Sequence, residues 1–427
     1  MTPLRPNLCI WKTRSIPLIS RFRTSSSSAT STSRFPTRKT LLDKTSREIN
    51  PEKPRSFPTS NFEVIDADQP VEEEQLSDYR AHRFYPVRLG EVFQDRYQAI
   101  AKLGFGSSST SWLARDLRER KYVALKICHI NTRIEESSYP GKNNIRKLLD
   151  SFKISGPGGE HIVLVRQPAQ MSLHDMKVIF SKDGFDEEFV KGAIVELLQA
   201  LDFLHTEGEV VHTDVHYGNM LLGQENTESF HRMEEEEFSS PVHRKPVSSD
   251  RTIYLSRLML PKPGPMLLCD FGEARIGPGP HAGDIMPVQY RAPETLFYIE
   301  WSYPVDIWSV SLTAWELLEP TRLFTACDGD GDFSNEAHIA QMTAALGPPP
   351  RELLATNPEV TAEFWDQKGN WKGRAAIPHE RTMEALENGL EDNSGFLRFM
   401  RRALTWMPDE RSSARELLKD PWLAEGI

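Results

Sequence analysis

Residues 212–221 read HTDVHYGNML, and they sit where the character of the chain changes twice. Upstream, EEFVKGAIVELLQALDFLHTEG (187–208) repeats its apolar residues at i, i+3, i+4 and i+7, the period of an amphipathic helix. Downstream, LLCDFGEAR (267–275) reads as an apolar strand that ends in Asp270-Phe271-Gly272. The segment 212–221 carries Asp214 and, five residues on, Asn219. A loop carboxylate can orient a hydroxyl and accept its proton. An amide oxygen and a second carboxylate leaving a buried strand are hard donors of the kind Mg²⁺ takes together with phosphate oxygens.

Toward the N-terminus, YQAIAKLG (97–104), TSWLARD (110–116) and KYVALKIC (121–128) are short, apolar or β-branched, and separated by turn residues. That spacing predicts an antiparallel meander. After HIVLVRQP (161–168) helical periodicity takes over, and strands followed by helices imply an α+β body with segregated layers. Gly104 and Gly106 lack Cβ atoms, so the backbone N–H groups of their turn can approach phosphate oxygens closely. Alone this is weak evidence, because a hairpin with a glycine-bearing turn reads the same way. Lys126, between Leu125 and Ile127, is expected to aim its ammonium into a cleft where phosphates pair with it; an exposed strand lysine is the blander reading.

These residues, in this order and with Ala292-Pro293-Glu294 closing a segment after Asp270, resemble the protein kinase superfamily. More narrowly, residues 84 to 427 are similar to the SR-protein kinases. That likeness rests on FYPVRLGEVFQDRYQAIAKLGFGSSSTSWLARD (84–116), on Thr213 where most kinases carry arginine, on a long insert before Asp270, and on EAHIAQMTAALGPPP (336–350). The resemblance implies a bilobal kinase fold, with a small β-rich N-lobe over 84–168 and a larger helical C-lobe over 169–427. It implies a serine/threonine protein kinase that transfers the γ-phosphoryl group of ATP, with Mg²⁺, to protein serines. Arg-Ser-rich substrates linked to mRNA splicing, a nuclear and cytoplasmic location and a monomeric state go with it. By the same resemblance Asp214 is the catalytic aspartate, Lys126 pairs with the phosphates, and Asn219 and Asp270 hold the metal. Gly104 and Gly106 cover the phosphates, Leu103, Ala124 and Leu221 enclose the adenine, and Gln167 and Ala169 offer hinge backbone groups. Asp306 in DIWS secures the loop around Asp214, and Glu294 pairs with Arg411 in MPDERSSA.

Charge divides unevenly along the chain. Of 51 basic and 61 acidic residues, the first 60 positions hold 12 and 3, leaving 39 and 58 to the rest. An acidic body disfavours nonspecific nucleic-acid binding and suits cationic partners, though an acidic face that only aids solubility reads alike. Residues 1–83 are expected to be a disordered basic, Ser/Arg-rich extension ending in an acidic patch, VEEEQLSDY (71–79), and dispensable for folding up to about residue 60. Its Arg-rich, acid-poor start is also the composition of a mitochondrial transit peptide, the alternative location. Residues from about 223 to 264, including HRMEEEEFSSPVHRKPVSSD (231–250), are expected to form a long inserted loop. No apolar stretch is long enough to predict a membrane span. Cys9, Cys128, Cys269 and Cys327 are scattered, without metal-ligand spacing.

One departure bears on activity. Between Lys126 and KLLDSF (147–152) about a dozen residues are missing from the helix that carries a lysine-pairing glutamate in kinases, and Pro140-Gly141 interrupts what remains. Glu135 and Glu136 are the candidates to replace that glutamate. A pseudokinase acting as a scaffold is therefore the alternative function. Milder departures are His216 for a phosphate-contacting lysine, Ser111 for a valine over the base, and Arg166 near the gatekeeper position.

Overall fold

The computed structural model describes residues 51–424 apart from 77–78, 107–108, 129–139, 225 and 389. The expectations for residues 1–50 and for Glu135 and Glu136 lie outside the described residues.

The first half of the fold is one antiparallel sheet. It contains β1 (Val92–Phe93), β2 (Tyr97–Gly106), β3 (Ser109–Asp116), β4 (Lys121–Cys128), β5 (Leu148–Gly156) and β6 (Gly159–Arg166), in spatial order β1-β2-β3-β4-β6-β5. Alternation along the strands sends Tyr97, Trp112, Val123, Leu125, Val163 and Val165 into one core, with the ring of Tyr97 stacked on Phe152. From β4 the sheet continues beyond 129–139 through a turn at Pro140–Asn144. That turn presses backbone against backbone on the next lobe: a Cβ at Gly141 would lie 1.9 Å from the Gln199 carbonyl oxygen. Only glycine fits there.

Beyond α1 (Leu173–Phe180) comes α2 (Glu187–Thr206), the helix read from the sequence, started by Asp186, whose side chain accepts from the Phe189 N–H. Its Val190, Ile194, Leu197, Leu198 and Leu201 are buried in the large core of the helical lobe. Next are β7 (Val210–Val211), β8 (Met220–Leu222), α3 (Glu228–Ser239), β9 (Arg244–Pro246), β10 (Thr252–Tyr254), β11 (Met266–Leu268) and β12 (Arg275–Ile276). After α4 (Pro293–Leu296), the helix α5 (Pro304–Leu318) is buried over almost its whole length against α2, and α6 (Asn335–Leu346) leads into short closing helices.

Two expectations are corrected. The insert is not a loop throughout: it holds α3 and the hairpin β9–β10. Phe230, Met233, Glu234 and Glu237 fall at i, i+3, i+4 and i+7 and form the buried stripe of α3. Half of that stripe is carboxylate, so hydrophobic periodicity did not reveal it. Phe230 and Met233 pack on Ile100, Leu113 and Tyr122. Glu234 pairs with Arg115, while Glu237 pairs with Arg244 at 2.9 Å and Arg257 at 2.8 Å. Nor are residues 51–76 and 79–83 disordered. Gln98 exchanges hydrogen bonds with the Arg55 backbone, at 2.9 and 2.7 Å, and Phe57 stacks on Phe238 at 4.6 Å. Glu73 and Glu72 reach Lys102, which is 1% exposed. The acidic patch that reads as solvent-facing is the counter-charge for a buried lysine.

Candidate active site

The antiparallel pairing of β8 with β11 sets Met220 opposite Leu268 and Leu221 opposite Leu267. One step beyond the ladder the Cys269 N–H donates to the Asn219 carbonyl, 2.9 Å. Asn219 and Asp270 therefore emerge side by side, and the whole insert hangs from the far end of this hairpin without disturbing them. Asn219 Nδ2 donates to the Asp214 backbone oxygen and to its Oδ2, both at 2.9 Å, which holds the Asp214 carboxylate beside the pair.

The backbone under Asp214 is held by Asp306, 1% exposed on α5. Its Oδ2 accepts from the His212 N–H and its Oδ1 from the Thr213 N–H, each at 2.8 Å, and His205 Nε2 lies 2.8 Å from Oδ2. Thr213 sits at φ 67°, a region that a β-branched residue occupies only under constraint, and its hydroxyl donates to the Glu273 carbonyl at 2.8 Å. Burial pushes the His212 imidazole below its ordinary value. The neutral ring then serves both neighbours, Nδ1 accepting from the Asp214 N–H at 3.2 Å and Nε2 donating to the Cys269 carbonyl at 3.1 Å. Phe271 packs edge-on to that ring at 4.8 Å.

A cleft of about 790 Å³ opens above this floor, within the range of small-molecule sites. Leu103, Gly104 and Gly106 line it from the sheet, Leu221 from below, and Ala169 from the connection between lobes. A Cβ on Gly104 would meet no protein atom within 4 Å, so packing inside the fold does not require glycine there. Lys126 reaches in from β4, its Nζ 2.6 Å from Asp270 Oδ2. Burial raises the Asp270 carboxyl, but the charge and hydrogen bond of Lys126, together with the charge of Arg166, outweigh it and hold it below the usual carboxylate range. Asn219 and Asp270 supply two hard oxygen donors from adjoining elements, and no cluster of three or more acidic, His or Cys side chains fit to hold a metal occurs among the described residues. That donor set suits a cation that completes its shell with phosphate and water, as Mg²⁺ does.

Ala124 is buried and does not line the cleft surface, although it lies on the same sheet face as Lys126, opposite Arg166 in register. Gln167 does not line the cleft: its N–H donates to the Lys147 carbonyl and its own carbonyl accepts from Arg146 Nε, both at 2.9 Å. Glu294 and Arg411 form a bidentate pair, 2.6 and 2.7 Å, with both side chains fully buried.

Sequence reading missed three parts of the wall. Arg257, Leu258 and Met259 of the insert line the cleft mouth, where the Arg257 N–H donates to the Lys102 carbonyl at 2.9 Å. The apolar pair Leu258 and Met259, at the end of a polar insert, was the available signal. Gln170 ties the same strap to the C-lobe by accepting from the Lys262 N–H at 2.7 Å. Arg146, one of three basic residues in the polar stretch GKNNIRK (141–147) before β5, also enters the cleft.

Residues 97–423 match the family model described as the protein kinase domain. Among curated relatives, a serine/threonine protein kinase of Aspergillus fumigatus is 39% identical over 87% of this chain and 96% of its own length. The serine/threonine-protein kinase SRPK of Physarum polycephalum is 28% identical over 83% and 92%, and SRSF protein kinase 3 of Mus musculus 23% over 82% and 90%. A solved structure described as the kinase domain of PF14_0431 superposes with a TM-score of 0.62 at 22% identity, covering 80% of this chain and 98% of that one, which shows the shared fold. On the match of residues 97–423 and the similarity to these kinases, the chain belongs to the protein kinase family, as a serine/threonine protein kinase with the bilobal fold.

Proposed function

We propose that this kinase transfers the γ-phosphoryl group of Mg²⁺-bound ATP to serines in Arg-Ser-rich segments of proteins linked to mRNA splicing. The observation that carries the reading is the set of Asp214, Asn219 and Asp270 beside Lys126, in a chain similar to kinases whose names tie them to SR proteins. Asp214 would receive the serine hydroxyl and take its proton as oxygen attacks phosphorus. Lys126 would exchange its contact with Asp270 for the nucleotide's phosphates. Mg²⁺, held by Asn219 and Asp270, would supply the charge that offsets the phosphate oxygens. An excess of acidic residues after position 60 complements an arginine-rich substrate. The scaffold alternative draws no support from the relatives, which are kinases, nor from the four groups retained in the cleft.

The test is incorporation of labelled phosphate from ATP into an Arg-Ser repeat peptide and into the same peptide with lysine for arginine, each with Mg²⁺ and with EDTA. Strong preference for the arginine peptide and silence in EDTA are expected. Equal labelling of both peptides would remove the substrate assignment, and labelling in EDTA the metal one.

A further inference from the structure

His216 stands where the resemblance implies a phosphate-contacting lysine, yet its ring is turned away from the nucleotide cleft. Asp214, Gly218 and Asn219 line that cleft, and His216 does not. The ring lies instead against the turn Tyr217–Asn219, where its Nδ1 accepts from the Gly218 N–H at 3.1 Å. A ring nitrogen that accepts a hydrogen bond carries no proton, so the proton of the imidazole is on Nε2. That nitrogen faces the reacting carboxylate, 3.6 Å from Asp214 Oδ1. The other oxygen, Oδ2, is already held by Asn219 Nδ2 at 2.9 Å.

Position 218 carries the residue that this arrangement needs. A Cβ there would lie 2.7 Å from His216 Cε1 and 2.8 Å from its Nδ1, too close for both to keep their places. The Gly218 backbone is outside the left-handed region, so its conformation does not by itself call for glycine. The ring is what excludes a side chain. His216 and Gly218 therefore act as a matched pair: the missing Cβ admits the ring, the N–H orients it, and the ring aims its one donor at Asp214. A separation of 3.6 Å is too long for a hydrogen bond, but the hydrogen bonds of a catalytic base are often long before substrate binds and tighten afterwards.

We infer that His216 is a positioning residue for the transfer: its Nε2–H closes on Asp214 Oδ1 in the substrate complex and, with Asn219 on Oδ2, fixes the carboxylate at both oxygens. A carboxylate oxygen has two lone pairs, so Oδ1 keeps one for the proton of the serine. This rests on the reading of Asp214 as the group that takes that proton. The role differs from that of the lysine in the resemblance, because it acts on the base and not on the nucleotide.

The experiment compares the full chain with His216→Ala, His216→Gln, Gly218→Ala and the double variant His216→Ala/Gly218→Ala in labelled transfer to the Arg-Ser peptide, with melting curves for each. His216→Ala is expected to lower kcat by at least about tenfold with the KM values for ATP and peptide little changed, since a misplaced base slows the reaction without weakening binding. Glutamine, whose amide has both an acceptor for the Gly218 N–H and a donor for Asp214, is expected to restore most of that loss. Gly218→Ala is expected to lose about as much as His216→Ala, and the double variant no more than either, because all three remove one interaction. In nitrogen NMR spectra of the imidazoles, with His216 assigned by its absence from His216→Gln, the proton is expected on Nε2. An unchanged kcat in His216→Ala, additive losses in the double variant, a proton on Nδ1, or a raised KM for ATP at unchanged kcat each overturns the inference and leaves the kinase reading in place. No transfer by the unmodified chain overturns both.

Discussion

Asp306 shows how one buried carboxylate fixes the position of another group. It accepts the N–H groups of His212 and Thr213, and through them sets the strained turn that presents Asp214. In Asp306→Ala both donors lose their partner inside the protein, at about 1–3 kcal/mol each. Thr213 is then free to leave φ 67°. A shift of the reacting carboxylate by about 1 Å can slow transfer on the order of 100-fold. The expected outcome is a kcat lower by about that factor with the peptide KM little changed, whereas Asp214→Asn removes activity altogether. An unchanged kcat, with or without a rise in KM, would mean that Asp306 does not position the base. At this scale the spacing from Asp214 to Asn219 and the Asp270 triplet stood out in the sequence, while the Glu294–Arg411 pair followed from the family resemblance. It was opaque at Arg146 and Gln167, because nothing in RKLLD or VRQPA states which strand neighbour takes a carbonyl.

The elements added to the lobes are joined by buried charge as well as by a small apolar core of Phe230, Met233 and Met259 on Ile100, Leu113 and Tyr122. Glu73 and Glu72 meet Lys102, Lys245 meets Glu74 at 2.8 Å, and Glu237 is shared by Arg244 and Arg257. Stretches such as VEEEQ and HRMEEEEF read as solvated in a sequence, since the arginines and lysines that bury them lie more than a hundred positions away in several cases. The sheet and α2 were legible because their partners are local and their periodicity is apolar. Removing one member of a buried pair leaves an uncompensated charge and costs about 3–5 kcal/mol. Glu237→Gln is thus expected to lower the urea midpoint markedly, and the chain beginning at Asp66 to melt several degrees below the chain beginning at Pro51. The second expectation follows from the contacts of Arg55 and Phe57 with Gln98 and Phe238. Equal melting temperatures for the two chains would show that this strap contributes nothing to stability.

Across the whole molecule, the two lobes were foreseen from strands preceding helices, and the lid of insert residues over the cleft was not, because only the closed hairpin β8–β11 brings residues 257–259 back to β2. The molecule's response to acid has sources in both the catalytic floor and the core of the large lobe. His212 and His338 are fully buried, and burial holds both below their ordinary value, His338 to about 3, where nearby Arg291 also opposes a second positive charge. A histidine that stays neutral in the folded chain while the unfolded chain takes up a proton destabilises the fold as pH falls below about 6.5, and for His338 the loss ends only near the folded value. Depressed carboxylates such as Asp270 and Asp420 act lower, their contribution being complete above the ordinary aspartate range and lost as pH falls through it. Between pH 7 and pH 5 the histidines dominate, and His338 alone accounts for about 2 kcal/mol, at 1.36 kcal/mol for each pH unit of proton uptake. Urea unfolding of the unmodified chain and of His338→Phe at both pH values measures it. The substitution is expected to shrink the loss of stability between pH 7 and pH 5 by about 2 kcal/mol whatever it does to stability at pH 7, and an unchanged difference would show that His338 is protonated alike in the folded and unfolded chains.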